Sequence, residues 1–196
     1  MSNDQKLVLK DVPSWSEVEK IIGTMIRRHK QGSVSLRDLC IEGLLATTGI
    51  RTSELLALRK EDFDFKQDLV TVRQLKKKGE FRRQTVMSED LKPYLEEYLE
   101  GVRDGEQAFS LSRRQVLNIT HRYTAEIIGR PIRNHAFRHA YAIRILEKTR
   151  DIELCRRLIG HSELETVKIY LDFAIGDRAK EVGDAIRIKR QVMKGD

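Results

Sequence analysis

Between residues 69 and 86 the apolar pattern of this chain changes from a helical period to a strand period, and this is its only clear sheet signal. Leu69-Val70-Thr71-Val72-Arg73 is β-branched and predicts a strand. Lys76 to Glu80 predicts a turn, and Arg82 to Val86 the returning strand. A sheet of two or three strands cannot stand alone in water, so it must pack on helices. The expected fold is therefore mainly α with a small antiparallel β-sheet, an α+β arrangement.

The helices are marked by their caps. Ser14 precedes Glu17 at capping-box spacing, and Val18, Ile21, Ile22 and Met25 form a stripe, so residues 15–30 read as a helix. Ser35 opens a second, with Leu36, Leu39, Cys40, Gly43 and Leu44 on one face and Gly49 as its stop. A short helix is expected from Ser53 to Leu58. Further helices are expected over Ser88–Glu100, Ser112–Ile128, Arg133–Lys148, Asp151–Ile159, Glu163–Leu171 and about 177–193, with Gly101, Gly129 and Gly160 at or just past helix ends. No Pro/Gly/Ser-rich linker divides the 196 residues, so one domain is expected over 13–175, after a loose lead-in at 1–12 and before a helical tail at 176–196.

A net charge of +7 suits a polyanionic partner. Cys40 and Cys155 lie among apolar residues and read as buried free thiols, and the lack of Cys-x-x-Cys removes the usual zinc and redox patterns. The polar N-terminus carries no signal-peptide run and no stretch approaches a membrane span, so a cytoplasmic protein is expected.

Four stretches put unusual polar residues at structural junctions. Arg51 falls between a helix end and a new helix start, where a guanidinium and free backbone N–H groups can face an anion. Taken alone it reads as a surface arginine at a helix junction. His135 and Arg138 share a helix face and together suit two oxygens of one phosphate. His139 turns toward the apolar side and reads as structural. His135 and His139 also have metal-pair spacing, but the zinc-protease pattern needs a glutamate where Ala136 stands, so no metal is expected. His161 follows Gly160 at the entry to the next helix, and Tyr170 lies late in that helix.

Together, TTGIRTSELLAL around Arg51, HAFRHAYA around His135 and Arg138, and LIGHSELETVKIY from His161 to Tyr170 resemble the catalytic domain of the tyrosine recombinases, the lambda-integrase-like family. The order of the three motifs and the step from His161 to Tyr170 match the family pattern over about residues 14–175. The resemblance implies that Arg51 and Arg138 clamp a phosphate, that His135 and His161 serve as hydrogen-bonding and acid–base groups, and that Tyr170 is the nucleophile. It places a lysine in the hairpin turn; of Lys76, Lys77 and Lys78, the last fits best, although the turn is a few residues longer than the commonest pattern. Glu54 matches an acidic position whose role is to orient a neighbouring side chain.

Two arginines and two histidines strengthen their hold on the non-bridging oxygens as charge develops during attack. A tyrosine with a pKa near 10 needs a base or a strongly cationic pocket. The implied reaction is site-specific recombination of double-stranded DNA through a 3′-phosphotyrosyl intermediate, without metal, cofactor or ATP. A homo-oligomer on DNA, a tetrameric synapse, and nucleoid association go with it. The alternatives are a type IB topoisomerase-like nicking–closing enzyme and a catalytically silent DNA-binding regulator. Arg73, Lys76, Lys77, Arg82 and Arg83 on the basic hairpin are expected to touch the DNA backbone. Many family members carry a separate helical domain ahead of the catalytic one; about a dozen residues precede the first helix here, in either a piece of a longer protein or a short natural form. The tail either packs on its own domain or, as is common in this family, docks on a neighbouring protomer.

Overall fold

Ser14 and Ser35 cap the first two helices through their hydroxyls, α1 (Trp15–Lys30) and α2 (Leu36–Thr48), and the Ser14–Glu17 capping box is formed in both directions. The computed structural model describes residues 11–76 and 79–160, and of residues 74–76 and 79–81 the backbone alone. The chain divides into two compact units, Met1–Gly160 and His161–Asp196. Outside the described residues lie Lys77, Lys78, His161, Tyr170, the helices expected over Glu163–Leu171 and 177–193, and most of the lead-in.

Helix α2 sits at the centre of the first unit. It packs against α1, α4 (Lys92–Glu100), α5 (Arg113–Ile128) and α6 (Asn134–Thr149). The sequence marks one apolar face on α2, yet Ile41, Leu45 and Ala46 are buried as well as Leu39, Cys40 and Leu44, because neighbours surround the helix. Gly43 has a packing reason: a Cβ there would meet Leu91 Cδ1 at 2.5 Å. Both cysteines are buried free thiols, and burial pushes Cys40 up to about 12 and Cys155 to about 11.

The sheet has three strands in the order β1 (Phe63–Asp64), β2 (Leu69–Lys76), β3 (Gly79–Val86), all antiparallel. Both long strands extend further than their β-branched segments, down to the pair Lys76 and Gly79. Lys76, Gly79 and Glu80 therefore belong to the ladder and not to a turn, because backbone pairing continues through residues with little strand preference of their own.

Two of the expected helices differ from the sequence reading. Helix α3 covers only Thr52–Leu55, and a 3-10 turn at Lys60–Asp62 leads into β1. Helix α4 starts at Lys92, not at Ser88. Pro93 lacks an N–H and fits only in a first turn, so Ser88 instead accepts a turn from Leu91 and Lys92. Helix α7 (Ile152–Ile159) is capped by Asp151. Gly129 and Gly160 close α5 and α7 in the left-handed region, and Arg150 closes α6 there without being glycine. Among the described residues no helix is long and apolar enough to cross a membrane.

Candidate active site

The site grows from the end of α2. Gly49 terminates that helix at φ 63°, and a Cβ on it would collide with the ring of Tyr141 on α6. A glycine is required there on both counts, by backbone conformation and by space. The tight stop turns the Gly49 carbonyl toward α6 and delivers Arg51, two residues on, to the start of α3.

Arg138 occupies the middle of this junction and is 2% exposed. It donates from Nη1 to the Gly49 carbonyl at 2.6 Å and from Nη2 to the carbonyl of Ile159, the last residue of α7. Two helix C-termini thus aim their negative ends at one guanidinium, which fixes a cation in a dry place. Asn134, at the start of α6, donates to the Thr52 hydroxyl at 3.0 Å and ties the openings of α6 and α3 together.

Glu54 is the anion of the cluster. Its Oε2 accepts the backbone N–H of Arg51 at 2.8 Å, and its Oε1 accepts from Arg51 Nη1 at 2.9 Å. Oε2 also accepts from Arg83 Nη2 at 2.7 Å. Burial alone would raise the Glu54 pKa. Arg83, the Arg51 backbone and side chain, and Arg138 outweigh that and hold it below the usual carboxylate range. Arg83 is pulled below the ordinary arginine value, chiefly by burial and against the attraction of Glu54.

His135 stands one turn above Arg138 with an exposed edge. Desolvation of its inner side, then the charges of Arg138 and Arg51, lower its pKa. Both guanidinium charges thus act on one imidazole. His139 is half-buried and packs edge-on against His135, ring centroids 4.6 Å apart. Among the described residues no group of three or more His, Cys, Asp or Glu side chains is placed to hold a metal.

Arg51, Glu54, His135, Arg138 and His139, drawn from chain positions far apart, therefore meet at one junction. Arg83 requires a correction: it does not lie on a solvated hairpin face. Register pairs Val72 with Arg83 and Val70 with Thr85, so Arg83 and Thr85 face the core. Val86, on the opposite face of β3, is 51% exposed, because the pairing with β2 fixes which residues point inward. Arg73 is held by Asp62 through Nε and Nη2, at 3.0 and 2.7 Å. Arg82 lies on the exposed outer face, while the Lys76 side chain and Lys77 are outside the described residues.

Residues 14–175 match the family model described as the phage integrase family, and the chain belongs to that family, the tyrosine recombinases. It is similar to the tyrosine recombinase XerC of Chlamydia caviae, 29% identical over 174 residues that cover 82% of this chain and 55% of the relative. It is also similar to XerA of Saccharolobus solfataricus, 26% identical over 165 residues, 84% of this chain and 56% of that one. Among solved structures it resembles XerH bound to a palindromic difH substrate in a post-cleavage complex, with a TM-score of 0.73 at 20% identity, covering 93% of this chain and 55% of that one. A second is XerA recombinase, TM-score 0.69 at 23% identity, covering 91% and 65%. At such identities the structural likeness shows the fold. The chain spans about half the length of the curated relatives it matches.

Proposed function

We propose that this chain is the catalytic part of a site-specific DNA recombinase that cuts and reseals strands through a phosphotyrosyl intermediate. The observation that carries the reading is the convergence of Arg51, Arg138 and His135 on one partly exposed junction. Arg138 is preorganised by two carbonyls and Arg51 by Glu54, so neither needs to reorder when an anion arrives. A phosphate meeting them exchanges its water shell for fixed, charge-assisted donors.

In the proposed reaction the Tyr170 oxygen attacks the phosphorus, a phosphotyrosyl bond forms, and the bond to the 5′ oxygen breaks. The phenol proton passes to a base, for which His135, its pKa lowered toward the neutral imidazole, is suited, with His161 as the other candidate. The departing 5′ oxygen takes a proton from the hairpin lysine, Lys78. Because one phosphoester replaces another, a second 5′-hydroxyl reverses the attack and no ATP is consumed. The other four tyrosines support Tyr170 by being engaged elsewhere. Tyr98 donates to the Ala108 carbonyl and Tyr123 to Asp38; Tyr141 is buried beneath Gly49; Tyr94 packs on His29. Burial raises the pKa of Tyr98, Tyr123 and Tyr141, the wrong direction for a nucleophile.

Double-stranded DNA is the proposed partner, with protomers assembling as a tetramer on paired sites; the exposed Arg82 and the hairpin lysines are the proposed backbone contacts. The test starts from duplexes selected by the protein from a genomic library and nicked next to the cleaved position. Wild type should give a denaturant-stable protein–DNA adduct and Tyr170→Phe none. Equal adduct from both proteins removes Tyr170 as the nucleophile, and no adduct from wild type removes the recombinase reading.

A further inference from the structure

Among the described side chains of β3, Arg83 is the one charged group that points into the core, with 4% of that side chain exposed. Its position opposite Val72 calls for an apolar residue. Instead a guanidinium is buried there, and two of its nitrogens, Nε and Nη1, have no hydrogen-bond partner. Such an arrangement costs stability, and a residue of similar volume without charge would be the more stable choice at the position. Local rules broken at a cost are expected where function requires it.

Arg83 reaches Glu54 through Nη2, on the same oxygen that accepts the Arg51 backbone N–H. The other Glu54 oxygen holds the Arg51 guanidinium. A carboxylate facing Arg51 alone would form a private ion pair and cancel most of its charge. Shared between Arg51 and Arg83, one negative charge faces two positive ones. Arg51 is then oriented by Glu54 and still presents net positive charge to an anion.

We propose that Arg83 is a positioning residue for phosphate capture: it locks the Glu54 carboxylate that orients Arg51, and it keeps Arg51 from being neutralised. On this proposal Arg83 acts through Glu54 and Arg51, without itself touching the DNA. This inference rests on the recombinase reading above and deepens it.

The test uses the full chain and a nicked duplex carrying the sequence selected by wild type. Single-turnover adduct formation is measured at saturating DNA, together with duplex affinity, for wild type, Arg83→Met, Arg83→Lys, Arg51→Lys and the Arg83→Met/Arg51→Lys double variant. Arg83→Met should slow adduct formation by about 10- to 100-fold, the usual range for a residue supporting a primary ligand, with duplex affinity unchanged. In the Arg51→Lys background most of that loss should vanish, since the two residues act as one unit. Arg83→Lys should lie in between, because it keeps the charge and loses the fork.

Wild-type rates in folded Arg83 variants, or a double variant whose losses simply multiply, would overturn the role. So would failure of both Arg83 variants to fold, read by circular dichroism, since the residue would then be structural. The two readings fail separately. Absence of adduct from wild type sinks the recombinase assignment, whereas a wild-type adduct with unaffected Arg83 variants sinks only this inference.

Discussion

Glu54 and Glu42 are both buried carboxyls of the same helical unit, and they end in opposite charge states. Glu54 meets two guanidiniums directly and stays ionised, its pKa lowered. Glu42, on α2 facing α5, accepts one hydroxyl hydrogen bond from Thr120 at 2.6 Å and leaves Oε2 without a partner. Burial, opposed by the Thr120 bond and reinforced by the charge of Asp38, pushes Glu42 up to about 8, so it is mostly protonated at neutral pH. Burial raised both; the partners decided the sign. The same helical framework thus keeps a charged polar cluster at one place and a neutral one at another.

The sharpest way to break this contrast is Glu54→Gln. It leaves two guanidiniums facing a neutral amide, and a loss of about 3–5 kcal/mol in denaturant unfolding is expected, as for other buried pairs that lose one partner. Its pH signature follows from the sign of the shift. The folded pKa lies below the unfolded one, so the Glu54 contribution is present above about pH 4.5 and disappears as the pH falls through the folded value. The acid limb of the stability curve should therefore be flatter in Glu54→Gln than in wild type.

Gly49→Ala should cost about 2–3 kcal/mol, combining left-handed strain with the Tyr141 collision. If the junction depends on that turn, adduct formation should fall more steeply than stability does. A cost no greater than that of an exposed Gly→Ala change would contradict the packing.

Glu42→Gln tests the neutral acid. The folded state keeps the Glu42 proton up to about pH 8 while the unfolded chain releases it near 4.5, so its ionisation removes stability as the pH rises between those values. The slope is up to about 1.4 kcal/mol per pH unit. Thermal unfolding at a series of pH values should show Glu42→Gln gaining on wild type from pH 5 to pH 8. Parallel curves would mean that Glu42 is ionised in the folded protein.

The smallest effect is expected at Arg122→Ala. Arg122 pairs with Asp38 at 2.8 Å, but its side chain is 53% exposed. Water screens the pair, and the loss should stay within about 1 kcal/mol in denaturant unfolding.

The sequence alone determined the helices with capped starts and apolar stripes, the two long strands, and the motifs that meet at the junction. Caps and periodicity are local, and a few neighbouring residues state them completely. Arg51, His135 and Arg138 stand at such locally marked junctions, but it was the resemblance of their motifs to the tyrosine recombinases that singled them out, together with Glu54. The fate of Arg83 was not legible, since the apolar residues of β3 do not agree on a phase and only pairing with β2 sets it. Nor were the short third strand Phe63–Asp64 and the charge of Glu42 legible. A register, a buried charge and a guanidinium shared across elements depend on which distant groups arrive beside them, and only the tertiary structure decides that.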